Sequence, residues 1–336
     1  MTLASFTLEY LPAVERELKE AIDHRFIQMP ELREMLTYHM GWSGENASAE
    51  AGGKRIRPLL VLLSSSAAGG NWHLALPAAA AVEMVHNFSL IHDDIQDRSD
   101  FRRGRPTVWK KWGEAQAINT GDLLFTLAFL ALQRMGTNHP PERINRANYV
   151  LQETCIQLTA GQYLDMAYER AEDISLEDYW QMIGGKTAAL LSACTRLGGL
   201  CAGADETTQE QMAQFGWKLG LAYQVWDDWL GIWGDQKKTG KSVQTDLLTG
   251  KKTYPILYAL QKDQVFAELW KKEKISPANV YKAVWYLEQD GAREQTEITA
   301  ESLTAEAMEI LAAFAWSNPA FQAIKELVER LLGRIS

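Results

Sequence analysis

Apolar residues recur at helical spacing along almost the whole chain. Leu8, Leu11, Val14, Leu18 and Ile22 step by three and four, and Ile324, Leu327, Val328 and Leu331 do the same near the other end. Strict alternation between turn signals, the mark of a strand, is rare. The pattern predicts about ten or eleven helices and no sheet, an all-α chain. Breakers divide the helices: a polar loop from Gly41 to Gly53, Ala68-Gly69-Gly70-Asn71, the stretch from Phe101 to Pro106 that ends a helix begun near Pro77, Asn138 to Pro141, and Gly234 to Gly250. No proline lies between Pro141 and Pro255. Because proline is excluded from helix interiors, that interval can hold several long helices. Without an internal repeat or a long linker, the reading is a single helical domain over residues 1–336.

Composition narrows the class. Of 336 residues, 46% are hydrophobic and 23% charged, which excludes a disordered chain, a collagen and a small disulfide scaffold. The net charge of −9 argues against sequence-independent binding to nucleic acid or anionic membranes. It leaves room for a phosphate ester held by a few concentrated bases. Cys155, Cys194 and Cys201 have no metal-ligand spacing, so buried reduced thiols are expected. Met1 to Glu20 carries four Glu and reads as neither signal nor transit peptide. The longest apolar stretches are interrupted by Glu83, His86, Asp122 or Arg196, so no membrane span and a cytoplasmic location are expected.

Chemistry concentrates in three places. His92-Asp93-Asp94-Ile95-Gln96-Asp97 is followed by Arg102-Arg103-Gly104-Arg105-Pro106-Thr107. On a helix, Asp93 and Asp97 lie on one face, with Asp94 beside them. Clustered carboxylates repel unless a cation is present, and Mg²⁺ takes one or two of them plus substrate phosphates. Alone, the acids also read as a solvated helix end. Gln224 to Asp235 repeats the device, with Asp227 and Asp228 closing an apolar helix. Gly52-Gly53-Lys54-Arg55-Ile56-Arg57-Pro58 resembles part of a phosphate-binding loop without the nucleotide P-loop spacing, and by itself is equally a basic surface turn. Further bases stand at Lys186, Lys241, Lys251 and Lys252, close in sequence to the second acid pair or to Gly184-Gly185. Bases gathered beside acids suit Mg²⁺ and polyphosphate together.

GKRIRP, DDIQD with RRGRPT, GQYLD, GGKTA and QVWDDW follow one another in an order that resembles the trans-isoprenyl diphosphate synthases, the polyprenyl synthetases. The likeness runs over roughly residues 50 to 260. It implies an all-helical antiparallel bundle around a central cavity, usually a homodimer, that joins isopentenyl diphosphate to allylic diphosphates with about three Mg²⁺ ions per site, Mn²⁺ being an alternative. It assigns Asp93 and Asp97 to two Mg²⁺ with Asp94 in support, and Asp227 to a third. Lys54, Arg57, His86 and Arg103 would take isopentenyl diphosphate. Arg102, Lys186, Lys241 and Lys251 would take the allylic diphosphate. Thr187 and Gln224 would aim oxygen dipoles at the allylic cation, and Gln162 and Asp165 would line the same cavity. Phe88 and Ser89 would set chain length, implying geranylgeranyl diphosphate as product with farnesyl diphosphate as the alternative. The aromatic stripe of Trp226, Trp229 and Trp233 reads as core. One position departs from the family pattern: Gly231 stands where a third Asp is common, and Asp235 and Asp246 are candidates to share its load.

A class I terpene cyclase shares the fold and one aspartate motif but needs no second diphosphate site, and its second metal motif carries Asn/Asp, Ser/Thr and Glu. A non-catalytic partner subunit usually lacks the first aspartate motif, which is intact here.

Overall fold

The computed structural model describes residues 1–23, 28–171, 173–234, 244–262 and 264–332, and its backbone is helical almost throughout. Five helices, α1 (Leu3–Ile22), α2 (Pro30–His39), α3 (Ala49–Gly52), α4 (Ile56–Ala67) and α5 (Leu76–Gln96), precede a short hairpin. After it come α6 (Val108–Trp112), α7 (Glu114–Gln133), α8 (Pro141–Arg170), α9 (Leu176–Ile183), α10 (Ala189–Ala202) and α11 (Glu206–Trp233). The described chain ends with α12 (Thr245–Thr249), α13 (Tyr254–Lys262), α14 (Val265–Lys272), α15 (Val280–Gln289), α16 (Ala292–Ala313) and α17 (Pro319–Leu332). These are more segments than the periodicity predicts, in part because α3, α6 and α12 are single turns that leave no periodic signature.

Among the described residues the only strands are β1 (Phe101–Arg102) and β2 (Arg105–Pro106), an antiparallel pair that departs from the expectation of no sheet. Arg103 and Gly104 between them both have positive φ, 53° and 73°. Two left-handed central residues are what a type I′ hairpin turn requires. A strand two residues long is invisible to pattern reading.

The described residues group into two compact units. The first comprises Met1–Glu153, Ala193–Glu210 and Trp316–Ile324, and the second Thr154–Ser192, Gln211–Ala315 and Lys325–Ser336. In the first unit α5 is the core helix. Ala78, Ala79, Ala80, Ala81 and Val82 are fully buried, and α5 packs on α7, α4 and α1. Helix α1 buries Leu3, Phe6, Tyr10, Val14 and Leu18, whereas Leu8, read from the sequence as part of the stripe, is 79% exposed. The true stripe is offset: Phe6 and Tyr10, not Leu8, are buried, and the Tyr10 hydroxyl lies 2.7 Å from that of Ser66 on α4.

Two helical stretches, Trp72–Gln96 and Glu114–Thr137, are long and apolar enough to cross a membrane by length and composition. This corrects the expectation that none is, since single polar residues interrupt such a run without lowering its mean enough. In α5 those polar residues (Glu83, Asn87, Asp94) are buried and hydrogen-bonded within the unit, as in a core helix.

The second unit is held by an apolar cluster in which Ile256 of α13, Phe266 of α14, and Val280 and Leu287 of α15 are buried together. Fully burying a side chain of this size contributes about 1.5–3 kcal/mol. Helix α9 starts on a reciprocal cap: the Ser175 hydroxyl accepts from the Asp178 N–H, and the Asp178 carboxylate accepts from the Ser175 N–H. That pair satisfies two amides a helix start leaves bare.

Candidate functional site

In the first unit the basic loop is pinned from below. Lys54 is exposed, Arg55 is buried and Arg57 is half-buried. Arg55, in left-handed backbone conformation at the start of α4, places its guanidinium 2.7 Å from Glu15 and 2.7 Å from Glu83. Trp42 donates to the second oxygen of Glu15 at 2.6 Å, and Asn87 donates to Glu83 at 2.8 Å. Two carboxylates compensate the buried charge, and removing one would cost about 3–5 kcal/mol. This network holds Lys54 and Arg57 at the N-terminus of α4, where no acidic residue occupies the first turn. A helix N-terminus favours anions.

Arg57 donates to His86 Nε2 at 3.2 Å. Burial, and then the charges of Arg57, Arg103 and Arg102, push the His86 imidazole well below its usual pKa, so it stays neutral and accepts that bond. His39 is held neutral in the same way, by burial and then by Arg103, Arg102 and Arg55. Arg103 donates to the Ala51 carbonyl at 3.1 Å, and burial pushes its own pKa down to about 10 against the pull of Glu83. Arg57 and Arg103 thus supply the positive charge of this cluster, and neutral His86 accepts from Arg57.

The acids of α5 separate into two roles. Asp97 caps the helix, its N–H donating to the Asp93 carbonyl at 2.8 Å, and no basic residue lies in the last turn. Asp93 is half-buried and Asp97 exposed. Carboxylates at the negative end of a helix dipole favour a bound cation. Asp94 differs: it is 2% exposed, and Arg102 grips both its oxygens at 2.8 and 2.9 Å. Burial raises its pKa and Arg102 opposes the rise. Arg102 sits on β1 of the hairpin, so this pair ties the Arg102–Arg103 turn to α5. Below the acids, Ser89 donates to the His86 carbonyl at 2.8 Å. The Phe88 ring lies 4.7 Å from that of Phe125 on α7 and 5.4 Å from that of His92.

In the second unit, α9 runs into a single π turn over Gly184–Ala188, the GGKTA motif, before α10 begins. Such turns inside helices occur frequently at functional sites. Glycine makes this one possible: a Cβ on Gly185 would lie 2.6 Å from the Gln157 carbonyl and one on Gly161 would strike the Lys186 amide. Lys186, on the π turn, reaches Asp165 of α8 at 2.5 Å, and Lys251 lies 3.9 Å from the same carboxylate. Lys252 instead donates to the carbonyls of Tyr168 and Ala171, capping the end of α8. The two adjacent lysines therefore do different jobs.

Thr187 donates to Gln224 Oε1 at 2.7 Å, and Gln224 Nε2 donates to Asp228 Oδ1 at 2.9 Å. Asp228 also accepts from the Tyr179 hydroxyl at 2.7 Å and the Tyr254 N–H at 3.0 Å. Burial drives the Asp228 pKa up to about 7, helped by Asp246 and opposed by its three donors. Asp227, one residue earlier, is half-buried. Trp226 and Trp229 are 8% and 4% exposed, core residues as read from the sequence. Lys241 and Asp235 lie outside the described residues.

Two residue sets escaped the sequence reading. Tyr179 gives no signal beyond its place one turn before the π turn. Glu15 and Glu83 look like helix polars, although a lone Glu inside the apolar run of α5, with Asn87 one turn on, marks a buried pair. Among the described residues no three carboxylate, imidazole or thiolate groups converge into a ready metal cage. The donors come in ones and twos with oxygen ligands only, which fits Mg²⁺, an ion that keeps waters and shares substrate phosphates.

Similarity to known proteins agrees with this arrangement. The sequence profile of the family described as polyprenyl synthetase matches residues 45–287. The (2E,6E)-farnesyl diphosphate synthase of Mycobacterium tuberculosis is 40% identical over 254 residues, 75% of this chain and 68% of that one. The geranylgeranyl diphosphate synthase of the same species is 44% identical over 231 residues, 68% of this chain and 65% of that one. The crystal structure of a polyprenyl synthetase from Streptomyces coelicolor A3(2) superposes with a TM-score of 0.87 at 34% identity, covering 97% of this chain and 99% of that one. With the matched span running from the basic loop through both aspartate motifs, the chain belongs to the polyprenyl synthetase family.

Proposed function

We propose that the protein condenses isopentenyl diphosphate head-to-tail with an allylic diphosphate, with Mg²⁺ as cofactor and geranylgeranyl diphosphate as its main product. The chain is a short-chain trans-prenyltransferase by family. Relatives of both the farnesyl and the geranylgeranyl type are similar to it, so the fifteen-carbon product is the alternative. The observation that carries the reading is the separation of charge roles in the first unit. A cluster of cationic Arg57 and Arg103 with neutral His86 is distinct from the carboxylates of Asp93 and Asp97. A cyclase that handles one diphosphate has no use for both.

Asp93, Asp97 and Asp227 would hold the metal, which when bound supplies charge neutralisation to a leaving diphosphate. Lys54, Arg57 and Arg103 bind the diphosphate of isopentenyl diphosphate, with neutral His86 accepting from Arg57. Arg102, Lys186, Lys241 and Lys251 bind the allylic diphosphate. Thr187 and Gln224 direct oxygen lone pairs at the developing cation, and the departing diphosphate accepts the final proton. Fixed dipoles of this kind need no reorganisation as charge develops. The family profile crosses segments of both compact units, which supports one synthase domain. A homodimer in the cytoplasm is part of the same proposal, supported for compartment by three buried free thiols.

The test is incubation of the purified protein with Mg²⁺, isopentenyl diphosphate and dimethylallyl, geranyl or farnesyl diphosphate. Longer diphosphates are expected. A hydrocarbon formed from one allylic substrate alone, or no turnover, would overturn the reading.

A further inference from the structure

We infer that Tyr179 and Asp228 are positioning residues that set the direction of a hydrogen-bond chain ending at Thr187, and so decide that its hydroxyl shows lone pairs rather than a proton to the reacting cation. The inference rests on the prenyl-transfer reading.

Direction follows from the donors. A backbone N–H can only donate, so Tyr254 N–H at 3.0 Å makes Asp228 Oδ2 an acceptor. The Tyr179 hydroxyl, 2.7 Å from the same oxygen, therefore donates to it as well. Tyr179 is 1% exposed, so this bond is shielded from water. The other oxygen, Oδ1, accepts from the Gln224 side-chain amide at 2.9 Å. An amide NH₂ can only donate, and with the NH₂ of Gln224 on Asp228 its carbonyl lies toward Thr187. Thr187, 2.7 Å away, must then donate its single hydrogen to that carbonyl. What Oγ1 has left is acceptor capacity alone. Each hydrogen that links the chain points away from its free end. Gln224 cannot choose this orientation unaided, because its two ends have the same shape; Asp228 chooses for it, and Tyr179 with Tyr254 fixes Asp228.

The same logic gives an isosteric way to reverse the chain. In Asp228→Asn the side-chain carbonyl stays with Tyr179 and Tyr254, since both are donors. The new NH₂ faces Gln224, which flips. Its own NH₂ then meets Thr187, whose oxygen must accept and whose hydrogen swings toward the site. Shape is unchanged while the dipole at Thr187 is inverted.

The experiment compares wild type, Asp228→Asn, Tyr179→Phe, Thr187→Val and the Asp228→Asn/Thr187→Val double variant. The probes are an aza analogue of an allylic diphosphate, cationic at the reacting carbon, and its uncharged carbon isostere, with inorganic diphosphate and Mg²⁺ held constant. Wild type is expected to prefer the cationic probe. Asp228→Asn is expected to reduce that preference, and kcat, by about tenfold or more. KM for both substrates and the Mg²⁺ concentration giving half-maximal rate should move by no more than about twofold. Thr187→Val should cost kcat much less in the Asp228→Asn background than in wild type, because the two act through one dipole. Tyr179→Phe should shift the preference the same way but less, since Tyr254 N–H remains; it carries the test should Asp228→Asn fail to fold. A preference unchanged in both variants, or a loss explained by a raised Mg²⁺ requirement, overturns the inference alone. A wild type without any prenyl transfer removes instead the reading on which it stands.

Discussion

The carboxylate of Asp246 occupies the space into which a side chain on Gly231 would grow: a Cβ built there collides with Asp246 Oδ2. The backbone supports the approach, since the Gln244 N–H donates to the Gly231 carbonyl at 2.8 Å. The family commonly carries its third aspartate at this position. Here the residue is missing, and a carboxylate arrives from α12.

That substitution of source predicts a coupling. Gly231→Asp should not improve the enzyme, because the new carboxylate displaces Asp246. Turnover should fall and the Mg²⁺ requirement should rise by roughly tenfold, of the order expected for a disturbed ligand shell. Adding Asp246→Ala to Gly231→Asp should restore much of the loss, whereas Asp246→Ala alone should weaken the enzyme. Mg²⁺ titrations of initial rate on the three variants check this, and a double variant no better than its worse parent would sink the idea.

Much of this was legible before any coordinates, and the reason is physical. The basic loop, the two acid pairs and the GGKTA segment are short and local, so their chemistry shows in sequence order. The roles within each motif were not legible. Lys54, Arg55 and Arg57 look alike as letters, and only packing shows that Arg55 is buried between Glu15 and Glu83. Asp93 and Asp94 are neighbours, yet the rotation of α5 buries one against Arg102 and leaves the other accessible. The π turn and the two-residue strands carry no periodic signal. Leu8 failed because a three-or-four spacing fits more than one stripe on the same helix.

The split between Asp93 and Asp94 predicts different failures. Asp93→Ala should lower turnover by at least about a hundredfold with an unchanged unfolding midpoint, since the lost interaction is made in the transition state. Asp94→Ala leaves the half-buried Arg102 without its partner and should cost about 1–3 kcal/mol of stability. Urea titrations beside steady-state rates separate the two. Equal loss of stability in both variants would contradict the division.

Substrate discrimination follows from the cationic cluster. Lys54→Ala and Arg57→Ala should raise KM for isopentenyl diphosphate by about tenfold or more while KM for the allylic substrate changes little, as expected when a charged hydrogen bond to one ligand is lost. Varying each substrate at saturating levels of the other decides it. Equal effects on both constants would mean that the loop is shared or merely structural.

The buried histidines set an acid limit. His39 and His86 have folded pKa values well below 6.5, their value in the unfolded chain. As pH falls through 6.5 the unfolded chain takes up protons that the folded chain refuses. Their contribution to stability is therefore complete above pH 6.5 and lost as pH drops below it. Asp228, raised to about 7, works the other way over the same window, so the check is a difference: between pH 6.5 and about 5 the urea midpoint of His86→Gln should fall by less than that of wild type, or rise by more, as pH drops. Parallel slopes in the two proteins would contradict the assignment.

Product length returns to α5. Ser89 stands one turn, about 5.4 Å, before Asp93 and nearly on its face, whereas Phe88 is rotated by about 140° from Asp93 and points to α7. There its ring leans on Phe125 at 4.7 Å, and Phe125 in turn meets Phe129 at 5.1 Å. Were Phe88 the floor, the second ring behind it would resist displacement by a growing chain better than a lone side chain. Phe88→Ala should therefore lengthen the product by at least one five-carbon unit, and Phe88→Ala/Phe125→Ala should lengthen it further. Ser89→Phe should act oppositely, filling the near side and shifting product toward the fifteen-carbon diphosphate. Chromatography of the dephosphorylated alcohols reads all three. If Phe88→Ala folds, turns over and leaves the distribution unchanged, Phe88 is an interhelical packing residue, and the floor of the cavity must be sought elsewhere.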